Sequence, residues 1–372
     1  MKTIIITCFA LFSLSFSFAQ QTTETINIDG VTREYIQYLP TNFNALTESL
    51  PSVIILHGLG GTNTQMATAG FNLIADTARC IVYYPQGLPN LFGQNAWNNG
   101  TAASSTANDI DFMNFLMDKS LSDFNADITR QYVTGFSMGS IMSYHLACNL
   151  NNRVAAIGAM AGPMSTSDLN SCNPSYSTPI IHLHGTNDAT VPYNSNALPS
   201  LSLVTETLDF WKNQKNCGTT QDSTRITDSA SDGLTTDRFV YNGCNADGSL
   251  EHWRINGGGH DYYVEPLNDF SHAIEVWLFL RKWSHPNPLF PSVNVINENL
   301  DITIFPNPAT DYIEIELTNQ QLLGVQLISQ EGKQIMIGVE NPFPIAQLEN
   351  GIYYLKVITD KSALTKRIVV QH

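Results

Sequence analysis

Basic charge is what this chain has least of. Its 18 Lys and Arg residues stand against 33 Asp and Glu, a formal net charge of -15 at pH 7. A nucleic acid or an anionic membrane surface needs a basic footprint, so both are excluded as partners. Charge of either sign is scarce at 14% of residues, while Asn, Ser and Thr are abundant. That balance describes a solvated but weakly charged surface, suited to a neutral carbohydrate or polymer partner. No uninterrupted apolar stretch reaches the roughly 18 residues of a membrane-spanning helix. The six cysteines contain no C-x-x-C pair, the spacing that would point to zinc or redox chemistry.

The first residues have a different character from the rest. Met1-Lys2, an apolar segment over residues 3–18 and Ser17-Phe18-Ala19 before Gln20 form the charged start, apolar middle and small-residue cleavage site of a secretory leader. The expected mature chain begins at Gln20, and the protein is expected to be exported. Export favours disulfides over free thiols. With Cys8 in the leader, the simplest local scheme pairs Cys148 with Cys172 and Cys217 with Cys244, although sequence alone permits other pairings. Cys80 opens the apolar run Cys80-Ile81-Val82-Tyr83-Tyr84 and is the expected buried free thiol.

At 372 residues and 43% hydrophobic content the chain exceeds one ordinary core. Segments 25–28 and 34–39, split by Asp29-Gly30, read as an opening hairpin. Short apolar runs follow at 53–56, 81–84, 132–134, 155–159, 180–183 and 252–255. Their apolarity is continuous rather than alternating, the pattern of strands buried on both faces. Between them, Ile110, Met113, Leu116 and Met117 repeat at helical spacing behind Asn108-Asp109, and residues 203–211 and 272–283 do likewise. Strands alternating with helices predict an α/β fold: a mostly parallel central sheet with helices on both faces and an antiparallel start. Residues 88–107 form a long polar loop at the carboxyl end of a predicted central strand, and Trp97 in it is the aromatic expected to touch substrate.

A Pro- and Asn-rich linker is expected over 284–300, after a domain spanning 20–283. From 301 to 372 the pattern changes to alternating strands with turn signals at Glu331-Gly332 and Glu349-Asn350-Gly351, a small all-β sandwich. No motif for chemistry falls in it.

The chemistry centres on Gly135-Phe136-Ser137-Met138-Gly139. An apolar run leads into it and a helix-compatible run follows, the context of a nucleophile elbow, in which small residues let strand and helix close around an exposed serine oxygen. Ser137 is the candidate nucleophile. A serine hydroxyl needs a base, and the base needs a third group to orient it. His182-Leu183-His184-Gly185-Thr186-Asn187-Asp188 places an acid just beyond one predicted strand, and Gly257-Gly258-Gly259-His260 places a histidine beyond another. The order Ser137, Asp188, His260 is that of α/β-hydrolases, with His260 as general base and acid and Asp188 fixing its tautomer. Met138, following the nucleophile, and Leu59, in His57-Gly58-Leu59-Gly60-Gly61, are expected to supply the oxyanion-hole N–H groups. That glycine-rich loop lacks the lysine of a P-loop and the spacing of a dinucleotide fingerprint. His182 and His184, two apart on a strand, share a face; packed histidines are favoured over a metal site, because no carboxylate cluster accompanies them. Asp109 and Asp111 read as cap and first-turn acids, and Trp211, Trp253 and Trp277 as core.

Residues of about 25 to 283 resemble the polyhydroxybutyrate depolymerase and feruloyl/acetylxylan esterase group of α/β-hydrolases. The carriers are His57-Gly58-x-Gly60-Gly61, Gly135-Phe136-Ser137-Met138-Gly139, Arg153-Val154-Ala155-Ala156-Ile157 to Ala161-Gly162, His182-x-His184-Gly185-Thr186-x-Asp188-x-x-Val191-Pro192-Tyr193 and Gly257-Gly258-Gly259-His260. The resemblance implies hydrolysis of carboxylic esters by Ser137, His260 and Asp188 without metal or other cofactor, with His57 and Trp97 near substrate. Feruloylated or acetylated plant polysaccharide is the expected substrate, and a polyester such as polyhydroxyalkanoate or polyethylene terephthalate the alternative. A non-catalytic binding protein on the same scaffold, or a peptidase or lipase, stands behind these. One departure, Met138-Gly139-Ser140 where many relatives resemble Asn-Gly-Gly, bears on substrate choice. The tail, with Phe305-Pro306-Asn307-Pro308-Ala309-Thr310-Asp311-Tyr312, Gly351-Ile352-Tyr353-Tyr354-Leu355-Lys356-Val357 and Lys366-Arg367-Ile368-Val369-Val370, is similar to the carboxyl-terminal sorting domain of the type IX secretion system. That likeness implies passage through the secretion machinery to the cell surface or medium, with the tail then usually removed; a substrate-binding β-module is the competing reading.

Overall fold

The computed structural model describes residues 20–45, 47–195, 198–246, 249–288, 302–318, 321–329, 334–359 and 363–372. The expected leader at 1–19 and most of the expected linker lie outside these. The chain opens with β1 (Gln21–Ile28) and β2 (Val31–Tyr38), antiparallel across the turn at Asp29 and Gly30. Both turn residues have positive φ, +52° and +80°, as a two-residue hairpin requires. Then follow β3 (Ser52–Leu56), α1 (Asn63–Ala67), α2 (Phe71–Ala78) and β4 (Ile81–Pro85). A two-strand hairpin, β5 (Leu88–Pro89) and β6 (Asn95–Ala96), leads to α3 (Asp109–Phe124), β7 (Gln131–Phe136) and α4 (Met138–Asn149). Next come β8 (Ala156–Met160), α5 (Thr166–Ser171), β9 (Ile180–Gly185) and α6 (Val204–Gln214), and the segment ends with β10 (Gln221–Arg225), β11 (Thr235–Tyr241), β12 (Leu250–Asn256) and α7 (His272–Leu280).

Ten strands form one sheet in the order β1-β2-β4-β3-β7-β8-β9-β12-β11-β10. The run from β4 to β12 is parallel, with register such as Leu56 opposite Gly135 and Gly185 opposite Ile255. Every residue of β3, β4, β8 and β9 is buried, because the apolar side chains of these strands alternate into two cores. Ile54, Leu56 and Val133 pack with Phe112 and Leu116 of α3, Met142 of α4 and Trp211 of α6; Val53, Ile55 and Tyr132 pack with Phe71 of α2 and Trp277 of α7. Helices thus cover both faces, as a parallel sheet needs. The edge strands β10 and β11 are antiparallel and were not legible in the sequence. β10 is exposed along its whole length, and β11 carries Asp237 and Arg238 in mid-strand.

The expected disulfides are present: Cys148–Cys172 fastens the end of α4 to the end of α5, and Cys217–Cys244 closes the loop after α6. Cys80 is a buried free thiol. Farther along, β13 (Ile302–Phe305), β14 (Tyr312–Leu317), β15 (Leu322–Ile328), β16 (Gln334–Gly338), β17 (Phe343–Pro344), β18 (Gly351–Thr359) and β19 (Ala363–Val370) form two antiparallel sheets, β13-β14-β17 and β16-β15-β18-β19. Alternate residues Ile313 and Ile315, Val325 and Leu327, Leu355 and Val357, and Ile368 and Val370 fill a core of their own.

In the large sheet, β3, β7, β9 and β12 are parallel, so their carboxyl ends open on one edge. His57, Ser137, Asp188 and His260 all leave from that edge, where ligands of open α/β sheets bind.

Candidate active site

The turn from β7 to α4 places Ser137 at φ +56° and ψ -119°, a conformation that costs a non-glycine residue on the order of 1–3 kcal/mol. Surrounding contacts fix it there. The Ser137 amide donates to Met160 O at 2.7 Å, and the amides of Ser140 and Ile141 close the first helical turn on Ser137 O. The flanking glycines are required by contact: a Cβ on Gly135 would meet the Gly139 carbonyl carbon at 2.3 Å, and one on Gly139 would meet Leu56 O at 2.2 Å. The turn leaves Ser137 half-buried, with its oxygen open to a partner.

That partner is His260, whose Nε2 lies 2.8 Å from Ser137 Oγ. Its Nδ1 lies 2.6 Å from Asp188 Oδ2. An ionised carboxylate only accepts, so Nδ1 carries the proton and Nε2 is left free to take one from the serine. The loop after β12 is clasped to the loop after β9: Asn187 N donates to Gly258 O at 2.9 Å, Thr186 N to Ile255 O at 2.9 Å, and Gly257 N to Thr186 Oγ1 at 2.9 Å. The ring of His260 rests against Phe136, 4.9 Å between centroids. Asp188 Oδ1 accepts the amides of Thr190 and Val191, both at 2.8 Å. Burial alone would raise this carboxyl's pKa. Hydrogen bonds from His184, His260 and the Val191 amide outweigh it and hold the group well below the usual carboxylate range.

The glycine loop after β3 lies against the serine, since a Cβ on Gly58 would sit 3.2 Å from Ser137 Cβ. Met138, the first residue of α4, has no intrahelical acceptor for its amide. The Leu59 amide has no acceptor among the described residues either, and the Leu59 side chain is exposed. Met138 follows the serine directly, and Leu59 follows the Gly58 that lies against it.

Two expected substrate contacts are placed differently. His57 is buried: its Nδ1 donates to Gly58 O at 2.7 Å, and its Nε2 accepts from Gly87 N at 2.9 Å. Burial pushes its pKa down to about 4, so it stays neutral. Trp97 is fully buried, its ring tilted 36° against that of His57 with 4.6 Å between centroids, and its indole N–H donates to His57 O at 2.8 Å. Neither side chain reaches the cleft. An indole that turns inward removes more apolar surface from water and satisfies its one donor, so both residues brace the glycine loop after β3. The 88–107 segment does border that loop, but through Asn95: Gly60 N donates to Asn95 O at 2.8 Å, and Asn95 Nδ2 to Gly61 O at 2.9 Å. Its tip holds Leu91 and Phe92, 95% and 76% exposed.

Two further residues have roles that their local sequence does not disclose. A Cβ on Gly162 would meet Ser137 O at 2.4 Å, a constraint carried by backbone proximity that leaves no local signature. Asp109, expected as a helix cap, instead pairs with Arg33 at 2.5 Å in the core, and the cap is Asn108, which accepts the Asp111 amide at 3.2 Å. Among the described residues no group of three His, Cys, Asp or Glu side chains has the arrangement of a metal site. A cavity of about 600 Å3 between β12 and α7, lined by Arg238, Glu251, Trp253 and Lys282, includes no residue of the Ser137 cluster.

Residues 46–214 match the family described as Phospholipase/Carboxylesterase, and residues 303–371 match the Secretion system C-terminal sorting domain. A bifunctional acetylxylan esterase/xylanase of Neocallimastix patriciarum is 26% identical over 267 residues, 71% of this chain and 35% of that protein. Feruloyl esterase B of Piromyces equi is 31% identical over 170 residues, 44% of this chain and 30% of that protein. The chain thus spans about a third of the length of these curated relatives. Among solved structures, an acetyl xylan esterase from Aspergillus awamori superimposes with a TM-score of 0.50 at 15% identity, covering 66% of this chain and 96% of that one; the likeness is one of fold. A sorting domain is an export address, so the tail marks the chain for secretion. Residues 46–214 of this chain are thus similar to the phospholipase/carboxylesterase family, on an α/β-hydrolase fold, and residues 303–371 to the secretion-system C-terminal sorting domains.

Proposed function

We propose that the chain is an exported serine esterase that hydrolyses carboxylic esters through an acyl-enzyme on Ser137. The observation that carries this is the unbroken hydrogen-bonded series from Ser137 Oγ to His260, at 2.8 Å, and from His260 to Asp188, at 2.6 Å. In the reaction Ser137 Oγ attacks the ester carbonyl as His260 Nε2 takes its proton. The oxyanion of the tetrahedral intermediate accepts the N–H groups of Met138 and Leu59, each such donor being worth about 10²–10³ in rate. His260 then returns the proton to the leaving alcohol, and water repeats the sequence to release the acid. Asp188 stays ionised throughout and stabilises the imidazolium.

The substrate class proposed is a feruloyl or acetyl ester on plant polysaccharide, supported by the names of the relatives and by the weakly charged surface. One observation favours the second reading, a polyester: Leu91 and Phe92 stand exposed on a hairpin bonded to the oxyanion loop. The tail is proposed to engage the type IX secretion machinery and to be cut off within the linker, leaving 20–283 as the working enzyme. Replacing Ser137 with Ala and assaying p-nitrophenyl acetate tests the mechanism; retention of most of the activity would overturn it. Hydroxycinnamate released from bran, compared with soluble products from polyester film, decides the substrate.

A further inference from the structure

His182 and His184 have no part in the reaction sequence above, yet both are fully buried beside it. Their hydrogen bonds run in one direction. His184 Nε2 lies 2.8 Å from Val191 O and 3.3 Å from Asp188 Oδ2, two atoms that only accept, so this nitrogen bears the proton. In the neutral ring Nδ1 is then an acceptor, and His182 Nε2, 3.3 Å away, must donate to it. His182 Nδ1 in turn accepts the phenol of Tyr144 at 2.9 Å. The donors run from Tyr144 to His182 to His184, whose Nε2–H bonds to Val191 O and stands 3.3 Å from the carboxylate. Burial together with the neighbouring His184 and His252 holds His182 well below the ordinary histidine range, so the ring remains neutral. On the flank, His252 donates Nδ1–H to His182 O at 3.1 Å and accepts the Tyr193 hydroxyl at 2.6 Å, which leaves it no bond to spare for the series.

Asp188 therefore has two supports on separate edges: the Thr190 and Val191 amides on Oδ1, and His184 sharing Oδ2 with His260. The amides fix the position of the carboxyl group. Among the described residues, His184 is the one other polar side chain beside the oxygen that faces His260.

We propose that His184 is a positioning residue for the Ser137 reaction, holding Asp188 Oδ2 against His260 with His182 and Tyr144 ordered behind it; this rests on the serine-esterase reading. A donor on that oxygen also disperses part of its negative charge. Without His184 more of that charge falls on His260, the imidazolium is held more tightly, and the free base forms only at higher pH.

The test compares His184→Phe, which keeps a ring but no donor, with His184→Gln, whose amide nitrogen reaches the place of Nε2. Full pH profiles of kcat and kcat/KM on p-nitrophenyl acetate are recorded for each, with Ser137→Ala alongside. The Phe variant is expected to lose about tenfold or more in kcat, to keep its KM within a factor of about two, and to show the acid limb moved to higher pH. The Gln variant is expected to recover most of the kcat and the parent profile. A parent-like profile in the Phe variant, or equal losses in both variants with an unmoved acid limb, overturns the proposal. Where the Phe variant does not accumulate folded, Tyr144→Phe decides: it removes one buried hydroxyl from the far end, and an upward shift of the acid limb supports the series while a parent profile overturns it. An active Ser137→Ala would instead sink the serine-esterase reading, independently of what His184 does.

Discussion

Asp188→Asn changes one atom and tests the roles assigned to three residues. In the parent, Asp188 Oδ1 accepts two amides and Oδ2 faces two donors, His260 Nδ1–H at 2.6 Å and His184 Nε2–H at 3.3 Å. An asparagine keeps its carbonyl oxygen on the Thr190 and Val191 amides, which leaves its NH2 pointing at both histidines. Donor then meets donor at 2.6 Å. His260 relieves the conflict by moving its proton to Nε2, so that Nδ1 accepts from the amide and Nε2–H points at Ser137 Oγ. In that tautomer the imidazole cannot take the serine proton. The loss expected is about 10⁴ in kcat, or about 5.4 kcal/mol of transition-state stabilisation at ~1.36 kcal/mol per factor of ten. Stability should fall far less, by about 1–3 kcal/mol, because the buried donor that loses its approach to the carboxylate, His184 Nε2–H, retains Val191 O. Initial rates on p-nitrophenyl acetate give the first quantity and urea denaturation the second. An Asp188→Asn enzyme within tenfold of the parent kcat would refute the tautomer argument and Asp188 as the orienting acid.

Two further outcomes follow from the packing and from a buried charge. Gly139→Ala should cost about 3 kcal/mol or more, or prevent folding, because its Cβ would lie 2.2 Å from Leu56 O and 2.6 Å from Leu56 C, backbone atoms that cannot yield. Gly60→Ala faces open space at φ +72° and should cost only about 1 kcal/mol; a melting temperature for Gly139→Ala above that of Gly60→Ala would contradict the contact argument. Lys215 is buried with its Nζ donating to the carbonyls of Ser177 and Thr178, and burial pushes its pKa down to about 7 from the ordinary 10.5. Folded below unfolded means that between these values the unfolded chain holds the extra proton, so stability rises with pH across that window, by at most about 1.4 kcal/mol per unit. Lys215→Met should flatten the slope of unfolding free energy measured at pH 7, 8 and 9, and an unchanged slope would count against a low folded value.

What the sequence made legible was whatever its own local pattern carried. The strands of the parallel sheet are continuous apolar runs, and the elbow, the aspartate turn and the glycine-histidine loop each directly follow one of them. Chain order alone then brings Ser137, Asp188 and His260 to one edge, because parallel strands share a direction. The edge strands escaped because β10 has no apolar face at all, and β11 buries Asp237 in ion pairs with Arg225 and Arg254 rather than among apolar neighbours. Trp97 was misplaced for a different reason. A polar loop containing one indole has the same composition whether the ring points into a cleft or inward onto a histidine, and only the fold of the β5–β6 hairpin decides. The direction of the Tyr144–His182–His184 series was equally hidden, since it depends on which acceptor each nitrogen meets.

The departure at Met138-Gly139-Ser140 can now be assigned a consequence. Met138 contributes its amide to the serine's surroundings, but its side chain is 4% exposed and packs in the core with α3, α4 and α6. Ser140 is fully buried, and its hydroxyl donates to Gly162 O at 2.6 Å. Gly162 is the residue whose bare Cα lies against Ser137 O, so the hydroxyl ties the first turn of α4 to the segment that confines the nucleophile. A glycine at 140 would leave that carbonyl without this donor and the elbow held by fewer bonds in its positive-φ conformation. Both side chains are therefore turned into the protein, Met138 packing in the core and Ser140 bracing the strained turn. On the proposed reading, discrimination between an aromatic ester on polysaccharide and a polyester surface falls to exposed groups, which in this region are Leu59 in the glycine loop and Leu91 and Phe92 at the tip of the hairpin bonded to that loop. Apolar groups at a rim distinguish substrates by the apolar area they cover, at roughly 25 cal/mol per Å2. Under the proposed function, Leu91→Ser with Phe92→Ser is then expected to lower the rate on extended apolar esters while leaving that on p-nitrophenyl acetate unchanged, and equal losses on both would count against a role for the hairpin tip.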